Sequence, residues 1–234
     1  MTRTQRGKRP APTFRHAFDI VGSEIDRHAS PGRSTTGLHD MRLAAVMNVL
    51  IANDVHSVLD LGCGDGELLI RLAQHPAFER LSGIDISPVS IAQAREVLRQ
   101  VCGAREKQIE LELASFTASD SRLKGFDAAV LLETLEHIEL RHLHLVESAV
   151  FGCYRPLNVL ITTPNQEYNV LHGMQPCALR HPDHRFEWDR QTFQTWCCGV
   201  AERNGYIACY EDIGPVHASL GASTQMAIFK RSKN

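Results

Sequence analysis

From residue 56 onward, short apolar runs of strand length alternate with longer amphipathic segments, and few folds accommodate that alternation. VHSVLDLG reads as a buried strand, Glu67 to His75 as a helix, RLSGIDI as a strand and Val89 to Gln100 as a helix. IELELASF and FDAAVLLE follow as strands, Ile138 to Phe151 as a helix, and LNVLITTP as a strand stopped by Pro164. A parallel strand needs a long crossover before the next one, so the pattern predicts an α/β fold with a mostly parallel sheet and helices on both faces. The tail breaks the rhythm. After a helix at Asp189 to Asn204, YIACYEDIG and TQMAIFKR are two strand-like runs that can close the sheet as an antiparallel hairpin. At 234 residues, the chain is long enough for one well-filled domain of this kind.

Ahead of the alternation, LHDMRLAAVMNVLIAN is apolar-periodic and begins after helix-starting chemistry in SPGRSTTG. The opening MTRTQRGKRPAP carries Arg3, Arg6, Lys8 and Arg9, with no acid before Asp19. We read residues 1–36 as a basic, flexible arm and linker, and 37–234 as the folded domain. No apolar run is long enough to span a bilayer, and the net charge of -2 does not advertise nucleic-acid binding, so such a partner would need a local patch. The seven cysteines include no CxxC pair, and the N-terminus lacks the apolar core of a secretory signal; free thiols in a reducing, cytoplasmic compartment are expected.

The first strand runs into Asp60-Leu61-Gly62-Cys63-Gly64-Asp65-Gly66, and Asp85 closes the next strand. Glycines at a strand-to-helix turn let backbone approach a ligand, and an acid about 20 residues later can hydrogen-bond both hydroxyls of a ribose. The ligand expected here is nucleoside-like. The stretch LLETLEHIEL holds the second cluster: Glu133, Glu136 and His137 lie at i, i+3 and i+4, which places them on one face if the segment is helical. Two hard oxygens and one imidazole nitrogen suit Mg²⁺ or Mn²⁺ better than a thiolate-seeking metal. A second histidine must come from elsewhere, and His181 and His184 in the polar loop LRHPDHRFEW are the candidates.

The glycine spacing resembles the first motif of class I S-adenosylmethionine-dependent methyltransferases, a Rossmann-like fold. The set DLGCGDG, ETLEHI, TTPNQEYN and DHRFEWDRQTFQTW, in that order over roughly residues 38 to 230, is similar to the terminal small-RNA 2'-O-methyltransferases. That resemblance implies Glu133, Glu136, His137 and His184 as four metal ligands serving catalysis. It implies Asp60, Gly62, Gly64 and Asp85 as cofactor-binding positions, with Ser115 near the adenine. Arg42 lies where the family has an arginine ahead of the first strand, although LHDMR departs from the usual glutamine-arginine pattern. The implied activity is divalent-metal-dependent transfer of a methyl group to the 2' oxygen of a 3'-terminal RNA ribose. S-adenosylmethionine and Mg²⁺ or Mn²⁺ would be the cofactors, and an RNA 3' end the partner. An RNA-processing protein is a further partner the family allows, although the long N-terminal domain of bacterial members that work with a repair ligase is not expected in this chain. Four protein ligands leave two octahedral places for vicinal 2' and 3' hydroxyls. The rival readings are a metal-dependent O-methyltransferase of a small catechol-like diol, and a non-catalytic RNA-binding subunit.

Overall fold

A computed structural model of the chain describes residues 37–103, 109–175 and 177–232, so the basic arm expected at 1–36 lies outside the described residues. The elements run α1 (Gly37–Ala52), β1 (Ser57–Leu61), α2 (Glu67–Gln74), β2 (Arg80–Asp85), α3 (Pro88–Cys102), β3 (Ile109–Leu113) and β4 (Ala128–Leu132). After them come α4 (Leu143–Val146), which continues as a π-helical stretch Glu147–Tyr154, then β5 (Asn158–Pro164), α5 (Arg190–Asn204), β6 (Tyr206–His217) and β7 (Gly221–Arg231). Seven strands form one sheet in the order β3-β2-β1-β4-β5-β7-β6. All pairings from β3 to β5 are parallel, and β7 is antiparallel to both β5 and β6. The expected parallel sheet with a C-terminal hairpin is therefore present.

The pleat sorts each strand's residues between two cores. Leu59 and Leu61, Ala129 and Leu131, Val159 and Ile161, and Ala227 and Phe229 face the helices α4 and α5, where Phe151 and Phe193 are fully buried. Val58, Ala128, Val130, Leu160, Met226 and Ile228 face α1, α2 and α3 through Leu43, Leu50, Leu69, Leu72 and Leu98. Both faces are covered, which explains why the central strands read as nearly unbroken apolar runs. Helix starts are fixed locally. Ser87 accepts from the Ser90 N–H at 3.1 Å with Pro88 in the first turn, and Asp189 accepts from the Thr192 N–H at 2.7 Å.

Two expectations need correction. LLETLEHIEL is not an α-helix. Glu133 adopts φ +51°, Thr134 is neither helical nor extended, and only Leu135–His137 makes a single 3₁₀ turn. The cause is tertiary: the Glu133 N–H donates to the Thr162 carbonyl at 3.2 Å and the Arg185 N–H donates to the Glu136 carbonyl at 2.7 Å, so neighbouring elements satisfy the backbone that a helix would have used. The next helix also starts later than Ile138, because Ile138 is extended, Glu139 is not helical and Leu140–His142 is another 3₁₀ turn.

Candidate functional site

The strand order reverses direction between β1 and β4, and a doubly wound sheet opens a crevice at the carboxyl ends of such strands. A cleft of about 650 Å³ lies there, lined at one end by Gly62, Asp85 and Ser115 and at the other by Glu133, Thr134 and His137. At the first end, Gly62, Gly64 and Gly66 all have positive φ (80°, 54° and 88°). Gly62 is needed twice over, because a Cβ there would collide with Thr134 Cγ2. Asp85 Oδ2 accepts from the Gly64 N–H at 3.0 Å and Oδ1 from the Ser87 N–H at 2.8 Å, which pins the carboxylate to the loop and leaves a lone pair on each oxygen. Asp60 is buried beneath it, and burial, followed by the charge of Asp85, raises its carboxyl to about 7. Ser115 shares a 2.6 Å hydroxyl contact with Thr117. Ile86, 72% exposed on the cleft wall directly after Asp85, is an apolar surface of the kind a flat base rests on, and no periodicity marks it in the sequence.

At the second end, three of the four expected ligands meet. Glu136, His137 and His184 each offer an atom within 4.8 Å of the others'. Glu136 is fully buried; its Oε2 accepts from Thr163 Oγ1 at 3.1 Å, while Oε1 has no hydrogen-bond partner and faces His184 Nε2 at 4.0 Å. An orphaned buried oxygen opposite an imidazole nitrogen, with His137's ring 4.9 Å from His184's, fits a hard divalent cation. Burial, reinforced by Glu133, holds the Glu136 carboxyl well above its usual range, the effect expected where a positive partner is called for. His137 is shifted down, first by burial and then by His184, so it is neutral and able to ligate near pH 7.

Glu133 stands apart from this cluster. Its Oε2 meets Arg42 Nη2 at 2.7 Å, and its Oε1 accepts from Thr162 Oγ1 at 2.9 Å. Arg42 also donates from Nε to Thr224 Oγ1 at 2.9 Å, so α1, β4, β5 and β7 converge on that carboxylate. His181 stacks near both histidines, 6.0 Å from His137 and 5.6 Å from His184, without joining the three-residue cluster. His142 also lines the cleft, whereas His144 two residues on is exposed. Phe186 is buried, and Trp188 and Trp196 pack against the core. Sequence reasoning missed Glu187, which meets His184 Nδ1, and Asn169 and Arg180, which bond to Glu187; Glu187's place three residues after His184 was the available signal.

A family model described as a methyltransferase domain matches residues 59–156, from within β1 to beyond β4, a span that includes both ends of the cleft. The methyltransferase domain of bacterial CtHen1 is 37% identical, with a TM-score of 0.76 over 84% of this chain and 100% of that one. The chain belongs to the small RNA 2'-O-methyltransferase (Hen1) family. The solved small RNA methyltransferase HEN1 aligns at a TM-score of 0.78 with 26% identity, over 88% of this chain and 28% of that one. Among curated Hen1 relatives, the small RNA 2'-O-methyltransferase of Rattus norvegicus is 33% identical over 204 residues. The match covers 83% of this chain, which spans about half (51%) of that relative's length. The seven-stranded order and hairpin described above are thus the Hen1 methyltransferase fold.

Proposed function

We propose that this chain transfers a methyl group from S-adenosylmethionine to the 2' oxygen of the 3'-terminal ribose of an RNA. The observation that carries the reading is the single cleft joining the glycine loop and Asp85 to Glu133 and His137, which would bring a methyl donor and a metal-held hydroxyl within reach of each other. Asp85, with a lone pair on each oxygen, would take the two ribose hydroxyls of the cofactor. Asp60, Gly62 and Gly64 would shape the methionine end of its site, and Ser115 the adenine end. Ile86 would present an apolar face to the base.

Glu136, His137 and His184 would hold a divalent cation, with Glu133 as the fourth ligand once released from Arg42. Such a cation supplies the Lewis acidity that lowers the pKa of a hydroxyl placed on it. The residues contribute position: Thr163 fixes one oxygen of Glu136, the 3₁₀ turn aims His137, and the Arg185 N–H ties the loop of His184 to the backbone of Glu136. The relatives named above are small RNA 2'-O-methyltransferases, which supports the substrate class.

The test is transfer of labelled methyl from S-adenosylmethionine, with Mn²⁺, to a short RNA and to the same RNA carrying a 2'-deoxy 3' terminus. Transfer to the first alone is expected. Equal transfer to both would place the methyl elsewhere, and transfer to a catechol but to neither RNA would move the reading to a small-molecule diol.

A further inference from the structure

Glu187 has a fully buried side chain, and methyl transfer as proposed gives it no task. Its partners nevertheless form a chain whose polarity can be read without assigning any hydrogen. Arg180 is held by four bonds of its guanidinium: Nη1 donates to the Ser223 carbonyl and hydroxyl at 2.9 and 3.1 Å, Nη2 to the Asn165 carbonyl at 2.6 Å, and Nε to Asn169 Oδ1 at 2.6 Å. A guanidinium can only donate, so the Asn169 amide must present its oxygen to Arg180 and its Nδ2 to Glu187 Oε2, 2.7 Å away. The Arg180 backbone N–H, also a compulsory donor, reaches Glu187 Oε1 at 2.6 Å. Both carboxylate oxygens therefore accept. His184 Nδ1 lies 2.6 Å from Oε1 and must carry a proton.

We propose that Glu187 is a positioning residue: together with Asn169 and Arg180, it fixes His184 as the Nδ1–H tautomer and aims the Nε2 lone pair at the unpartnered Oε1 of Glu136. Arg180 anchors the chain to Ser223 in β7 and to Asn165 just after β5, so Glu187 is held in place and a rotation of the imidazole would break its 2.6 Å bond to a fixed carboxylate. A carboxylate behind a ligating histidine orients the ring and strengthens it as a ligand. The inference rests on reading Glu136, His137 and His184 as a cation site, but the tautomer is observable with neither metal nor RNA present.

The experiment uses the full chain with ¹⁵N-labelled histidine, in alkaline, metal-free buffer where imidazoles are neutral. Long-range ¹H–¹⁵N spectra assign the tautomer of His184, and the loss of the free-ion EPR signal on titration measures Mn²⁺ affinity. The wild type should show the Nδ1–H pattern. Glu187→Met, which removes both acceptors at similar volume, should lose that pattern and bind Mn²⁺ roughly 10–100-fold more weakly. Glu187→Gln keeps one acceptor and should fall between them. An Nε2–H tautomer in the wild type, which needs no variant to fold, would overturn the proposal. So would a folded Glu187→Met protein with wild-type spectra and Mn²⁺ affinity. A wild type that has the Nδ1–H tautomer yet takes up no Mn²⁺ would sink the cation site and leave the positioning role standing.

Discussion

Glu136→Gln should stabilise the metal-free protein while removing its response to metal. In the wild type, Glu136 is fully buried and its Oε1 has no partner, which costs on the order of 1–3 kcal/mol relative to a satisfied group. A glutamine keeps the oxygen that accepts from Thr163 and places an amide N–H toward His184 Nε2, across what is now a 4.0 Å gap. At about 2–4 °C per kcal/mol for a chain of this size, the variant should melt roughly 2–12 °C above wild type in EDTA near pH 8. The pH dependence has a definite sign. Because the folded Glu136 carboxyl is raised, the unfolded chain releases its proton first, at about 4.3; above that pH the native state holds more protons and its stability falls as pH rises. The advantage of the variant should therefore vanish in acid, grow from about pH 4.3 upward, and level off above the raised native value. Adding Mn²⁺ at about 100 times its Kd should stabilise the wild type by about 2.7 kcal/mol and leave the variant unmoved. Thermal melts across pH, with EDTA and with Mn²⁺, measure all three. A variant less stable than wild type in EDTA at pH 8 would refute the claim that Oε1 is an uncompensated buried group.

The two loop glycines should separate in a calorimetric binding and melting comparison. Gly62→Ala drives a methyl into Thr134 on top of a left-handed φ and should cost about 2–5 kcal/mol, whereas Gly64→Ala meets nothing within 4 Å and should cost about 1 kcal/mol while still weakening S-adenosylmethionine. Asp60, raised to about 7, should make cofactor affinity climb as pH rises through 7, since its ionised form favours the ammonium of the methionine end; Asp60→Asn should flatten that profile. Arg42→Met strips the cation from a nearly buried pair, so the protein should lose about 3 kcal/mol in denaturant titrations, and Mn²⁺, by replacing the lost charge, should restore part of it.

What the sequence disclosed and what it hid divide along a physical line. The β1 turn and Asp85 were legible because their requirements are local: positive φ favours glycine, and a strand end plus a crossover helix fixes where the acid falls. The sheet was legible because apolar runs of strand length record burial on both faces. The acid and histidine cluster was half legible: three of the four residues singled out do converge, and the helical geometry was wrong. Glu133 occupies a left-handed conformation that its side chain does not favour, held there by Thr162 on the neighbouring strand, and nothing in ETLEH announces that. A helix would have put Glu133, Glu136 and His137 on one face as equals. The 3₁₀ turn instead separates them, sending Glu136 inward to Thr163 and His184 and leaving Glu133 to Arg42. Thr163, Arg180 and Glu187 escaped notice for the same reason, as did the pairing of Arg42 with Glu133, since each acts on a residue brought near by the sheet rather than by the chain. Glu187 is the instructive case: a short local spacing to His184 was visible, but its meaning depends on Asn169 and Arg180 both pointing donors at it, and that polarity exists only once β5 and β7 are paired.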